Sequence, residues 1–112
     1  MDRAHRLRSA ADFRRTFAEG RRGACGAIVA VVRREPAADR APRIGITAGK
    51  AVGSAVARNR VKRRLRAIAA TALPRIPAGT DVVLVAKAES SGKDFQHLEA
   101  DVIAALGKVG IA

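Results

Sequence analysis

A chain of 112 residues supports one domain with a small core and is too short for two. Hydrophobic residues make up 48%, which excludes a disordered basic tail, and the three aromatic residues are all Phe, so Val, Ile and Leu must build the core. The formal net charge of +12 makes a compact domain repel itself unless a polyanion screens it, which favours nucleic acid over anionic membrane as partner.

The charge is unevenly placed. Residues 1–71 hold 18 basic and 5 acidic side chains, whereas residues 72–112 hold 4 and 5. The polyanion-facing surface is therefore expected from the first two-thirds, with the last third as scaffold. Seventeen of the 22 basic residues are Arg, whose planar fork suits phosphate and base contacts. Ala- and Arg-rich usage also follows from a GC-rich genome, so this bias alone decides little. The single Cys25 excludes an internal disulfide and reads as a half-buried structural thiol. No Cys/His set has zinc-site spacing, and no stretch approaches a membrane span or a signal core. The expectation is a cytoplasmic protein with no bound metal and no membrane or small-molecule partner.

In chain order, residues 1–8 read as a flexible basic lead-in. Ser9 followed by Asp12 is a variant capping box, predicting a helix to about Glu19 that stops at Gly20. Phe13 and Phe17 share one face of it, most simply as core residues. If either is exposed, it offers a stacking surface for single-stranded bases, flanked by Arg14, Arg15, Arg21 and Arg22. Ala27 to Val32 is a β-branched apolar run, the first strand. A loop over 35–42 with two prolines precedes a second strand, Arg43 to Thr47, expected antiparallel to the first.

Gly49, Gly53 and Ser54 mark a loop, with Ser54 placed to cap a helix over about 55–71. There Val61, Leu65, Ile68 and Ala72 form a narrow apolar stripe at helical period. Arg58, Arg60, Lys62, Arg63, Arg64 and Arg66 cover the rest. Solvated charged faces usually mix signs, but residues 50–71 contain no acid. Nucleic-acid contact therefore outweighs a merely solvated face. Asn59 could serve a base edge or a 2′-hydroxyl, or could be a helix-start residue just past the cap. Lys50, alone in a Gly-containing loop, reads as a generic phosphate contact because the full Gly-rich phosphate-loop pattern is absent.

Asp81 to Ala86 is a near-continuous apolar strand, so a central one covered on both faces. A last helix is predicted from about Asp94 to Leu106, with Phe95, Leu98, Val102 and Ile103 or Leu106 inward. The order α-β-β-α-β-α gives one α+β domain, a two-layer sandwich of helices on a small sheet. No carboxylate pair or His-based constellation is placed for catalysis.

The chain resembles the bacterial ribonuclease P protein component over most of its length. The match begins at Arg6-Leu7 and Asp12-Phe13-Arg14-Arg15-Thr16-Phe17, and resumes at Arg43-Ile44-Gly45-Ile46. It is densest over 50–66, where Gly53, Ala55-Val56, Arg58-Asn59-Arg60, Lys62-Arg63 and Arg66 keep the family's spacing. The resemblance implies a mixed sheet with a left-handed βαβ crossover, against the general right-handed preference. It implies an accessory subunit of an endonuclease whose RNA supplies the active site and its Mg²⁺, with no catalytic residue on the protein. The catalytic RNA is then expected on Lys50, Arg58, Asn59, Arg60, Lys62, Arg63 and Arg66. The 5′ leader of precursor tRNA is expected in a cleft formed by Phe13, Phe17 and Val31. Val31 stands where the family often carries an aromatic residue, and Gly49-Lys50-Ala51 replaces a common Ser-Lys-Lys, so stacking surface and local charge are reduced. A ribosomal protein or a DNA-binding regulator would share the basic composition, but the latter lacks a scaffold helix at helix-turn-helix spacing.

Overall fold

The computed structural model describes residues 3–111. Its elements run α1 (Ala10–Glu19), β1 (Arg21–Cys25), β2 (Ile28–Arg34), β3 (Arg43–Ala48), α2 (Ala55–Ala72), β4 (Thr80–Ala86) and α3 (Phe95–Lys108). Side-chain oxygens of Ser9, Ser54 and Asp94 accept the N–H of Asp12, Ala57 and His97 and so start the three helices. Both serine caps are where the sequence places them.

The strand β1 has no counterpart in the sequence reading. It spells Arg-Arg-Gly-Ala-Cys and holds no β-branched residue that would mark a strand. A tight turn makes it: Gly26, at φ +56, folds the chain back so that Cys25 pairs with Ile28 and Arg21 with Val32. The sheet order is β1-β2-β4-β3, with β4 antiparallel to β2 and parallel to β3. β3 does run antiparallel to β2, but the two are not neighbours. The loop between them carries the chain past a slot that β4 fills, completing the β3–α2–β4 unit. β4 is central and almost wholly buried, as its apolar run predicts.

Strand alternation splits the sheet into two faces. Ile28, Ala30, Val32, Val82, Leu84 and Ala86 face the main core, packed under Val61, Leu65, Ile68 and Ala72 of α2 and Leu98, Val102 and Leu106 of α3. Of the residues expected inward on α3, Phe95 is instead exposed, and of the alternatives Ile103 and Leu106 it is Leu106 that is buried. The opposite face carries a smaller cluster of Leu7, Val31 and Val83, with Phe13 and Phe17 packed against it. Helix α1 therefore lies on the other side of the sheet, a partial third layer that a two-layer sandwich lacks.

The lead-in is not a loose tail over its described part. Arg6 bridges to Ile44, the Leu7 N–H donates to the Ile44 carbonyl at 3.1 Å, and the Leu7 side chain is buried. One apolar residue in a basic segment is enough to seat it beside β3. Residues 1 and 2 of that expectation lie outside the described residues.

The β1–β2 turn is fastened from α3. Asp101 accepts the Ala27 N–H at 3.0 Å and the Lys93 ammonium at 2.6 Å. Burial alone would push its carboxyl up, but the Ala27 N–H and Lys93 outweigh burial and hold it below the ordinary value.

Both the core and this fastening can be probed by unfolding. Leu65 is 0% exposed, so Leu65→Ala should cost about 2–5 kcal/mol in denaturant unfolding. Asp101→Asn should lower stability near neutral pH, because a depressed carboxylate pKa stabilises the fold above the unfolded value. The gap to the parent should begin closing as pH falls through about 3.9 and vanish below the folded value. Unfolding midpoints across pH check both the loss and its disappearance.

Candidate nucleic-acid interface

Helix α2 divides its basic residues among three directions. With about 100° per residue, the buried side is set by Val61, Leu65, Ile68, Ala69 and Ala72. Asn59, Lys62, Arg63 and Arg66 stand at i, i+3, i+4 and i+7 and make one stripe along a flank of the helix. Arg60 is exposed farther round, and Arg58 is half-buried in the first turn. Arg64 lies on the opposite flank, where its Nη1 donates to the Lys93 carbonyl at 2.8 Å and ties α2 to the approach of α3. Lys50 is exposed on the short 3-10 turn Lys50–Val52 just before α2. None of these cations has an ion-pair partner among the described residues.

The arginines under α1 are in the opposite condition. Arg40 donates through Nη1 and Nη2 to the Asp81 carboxylate at 3.0 and 3.1 Å. Arg43 donates to the same carboxylate at 2.9 and 3.0 Å and to Asp12 at 3.1 Å. Arg33 bonds Glu19 at 3.0 Å and also pairs with Glu35. The hydrogen bonds to Asp81 raise the Arg43 pKa against the opposing pull of burial, so this guanidinium stays charged.

Helix α1 and the sheet face below it enclose a cleft. The Phe13 ring lies against β3 so closely that a Cβ at Gly45 would come within 2.5 Å of its Cζ. Only glycine at 45 permits that position. Phe17 is half-buried, with the Arg22 guanidinium 5.6 Å from its ring centroid, within cation–π range. Val31 corrects the sequence expectation: it is 0% exposed under α1 and cannot touch a ligand. Register puts Val29, Val85 and Thr47 in the next row along the same face, and all three are half-exposed. The sequence hides these floor residues because the β4 run reads as buried on both faces, which conceals where α1 stops covering it. Among the described residues no His, Cys, Asp or Glu group is arranged to hold a metal ion, and no helix is long and apolar enough to cross a membrane.

An acid-free cationic stripe beside a half-open aromatic cleft, on a small α+β scaffold, defines a nucleic-acid-binding protein. The Ribonuclease P family pattern matches residues 1–110. The ribonuclease P protein component of Syntrophomonas wolfei is 35% identical over 99% of this chain and 92% of its own length. That of Beutenbergia cavernae is 40% identical over 96% and 90%. The RNase P protein from Thermotoga maritima superposes with a TM-score of 0.75 at 29% identity, covering 93% of this chain and 94% of that one. The Staphylococcus aureus RNase P protein has the same fold, with a TM-score of 0.85 at 24% identity over 97% and 98%. The chain belongs to the ribonuclease P protein family. It is the accessory protein component of the bacterial ribonuclease P ribonucleoprotein endonuclease, which acts in tRNA 5′ processing.

The split within α2 gives a discriminating prediction. Arg63→Ala should weaken RNA binding, flatten its salt dependence by about one phosphate contact, and leave the circular-dichroism spectrum and unfolding midpoint unchanged. Arg64→Ala should lower the unfolding midpoint, because it leaves the Lys93 carbonyl without that partner. Equal effects of the two variants on both readouts would contradict the assignment.

Proposed function

We propose that α2 docks the catalytic RNA of ribonuclease P while the α1 cleft holds the 5′ leader of precursor tRNA. The observation that carries this reading is the segregation of charge. Arg33, Arg40 and Arg43 beneath α1 are paired with Asp12, Glu19, Glu35 and Asp81, whereas Lys62, Arg63 and Arg66, in one stripe with Asn59, have no ion-pair partner among the described residues. Arg58, Arg60 and Lys50 add to the phosphate contacts around that stripe. Such a surface binds structured RNA through its backbone.

The cleft suits a single strand instead. Phe13 and Phe17 offer ring surface, Val29 and Val85 an apolar floor, and Thr47 a hydroxyl for a base edge or 2′-hydroxyl. Ring surface of this kind meets the faces of unstacked bases, which an extended leader offers and a duplex does not.

In this reading the protein supplies no catalytic group. The Mg²⁺ belongs to the RNA, since the protein's outward surface here is cationic and would repel it. The protein's contribution is to neutralise repulsion between two RNAs and to hold the leader in line, in the cytoplasm where tRNA matures. Reconstitution with a bacterial catalytic RNA at low Mg²⁺, where RNA–RNA repulsion is least screened, tests it. Cleavage of precursor tRNA should rise on adding the protein, and an unchanged rate would refute the proposal.

A further inference from the structure

A concavity of about 480 Å³ opens at the β3 end of the α1 cleft, where the N-terminal segment, β3 and α2 meet. Three cations, Arg6, Arg8 and Arg66, line it from two separate parts of the chain. None of the three has an ion-pair partner among the described residues. Leu7 and Phe13 line the concavity from the α1 face of the sheet and Ile46 from the α2 face, so it wraps the β3 edge.

The backbone adds a third feature. β3 is an edge strand, and the N-terminal segment covers its outer edge only at Ile44, through the Leu7 N–H. Polar groups of alternate residues point to the same edge, so Ile46 presents its N–H and carbonyl outward, where nothing among the described residues pairs with them.

Resting on the RNA-binding reading above, we infer that this concavity is a subsite for one unstacked RNA nucleotide. Its phosphate sits among Arg6, Arg8 and Arg66, its base lies against Phe13 on the α1 face, and the backbone edge of Ile46 meets the base or 2′-hydroxyl. An inorganic anion would use only the three cations. The volume suits a ligand of nucleotide size. Arg66 belongs to the α2 stripe and Phe13 to the α1 cleft, so the subsite joins the two. A strand of either RNA that reaches this junction must turn round the β3 edge, and a turn is where a base leaves its stack. The nucleotide comes either from the catalytic RNA or from the leader, and the chemistry is the same for both.

The test uses the full chain with Arg6→Ala and Arg8→Ala combined, both on exposed side chains. Three affinities are measured: protein for catalytic RNA alone, and holoenzyme for precursor tRNA and for mature tRNA without a leader. With the circular-dichroism spectrum unchanged, one affinity should fall roughly tenfold. Its salt slope should become shallower by about one to two contacts. Loss in the first measurement assigns the nucleotide to the catalytic RNA; loss with precursor but not mature tRNA assigns it to the leader. Abasic substitution scanned along that RNA should then weaken the parent at one position and leave the variant unaffected. Affinities within twofold of the parent throughout, or no sensitive abasic position, would overturn the subsite. Arg63→Ala run alongside separates the two failures: if it weakens RNA binding while the double variant does not, only the subsite is wrong.

Discussion

Asp81 lies under α1 with its carboxylate almost sealed from solvent, and Arg40 and Arg43 each grip it with two hydrogen bonds. A buried carboxylate is costly by several kcal/mol unless well paired, so the arginines around it are fixed in number and place. They in turn hold α1: Arg43 reaches Asp12 near its start and Arg33 reaches Glu19 at its end. These two acids are seven positions apart, about 10.5 Å along a helix. The strands β3 and β2 stand on either side of β4, about 9.6 Å apart. The helix therefore lies across the strands, clamped at both ends.

That clamp determines both surfaces. By covering the rows of Asp81 and Val83 but not the row of Val85, α1 leaves an open floor bordered by Phe13 and Phe17. By absorbing four carboxylates into one network, it leaves Lys62, Arg63 and Arg66 of α2 and Arg6 and Arg8 of the N-terminal segment without ion-pair partners among the described residues. The excess charge of the chain is thereby concentrated instead of averaged. In the proposed function one surface meets phosphates and the other unstacked bases, a division of labour that suits an accessory subunit placed between two RNAs. Arg64 repeats the pattern on a smaller scale: it fastens α2, so its neighbours can point outward in a fixed direction.

Much of this is legible in the residues, and the remainder has physical reasons to be hidden. Helix starts are readable at Ser9 and Ser54 because capping is local, and the α2 stripe because its period is local too. β1 is invisible because Arg21–Cys25 is held by a turn and by α3, not by its own propensities. The neighbour of β3 cannot be read, since the strand that fills the slot beside it comes only after α2. Val31 reads as a cleft residue because burial on that face depends on where α1 lands. The family resemblance locates the basic helix and the aromatic pair and leaves Arg64 out of the RNA-binding set, yet it does not say what holds Arg64 instead. The position of the Lys93 carbonyl does.

The central claim is that two RNAs use two separate surfaces, and a double-mutant cycle tests it most directly. The affinity of the reconstituted holoenzyme is measured for precursor tRNA with and without its leader, using the parent protein, Phe17→Ala and Arg63→Ala. Removing the leader should abolish most of the Phe17→Ala penalty, giving a coupling energy in the range of about 0.5–3 kcal/mol expected of groups in contact. The Arg63→Ala penalty should be the same with or without the leader. Coupling of Arg63 to the leader, or none for Phe17, would contradict the account.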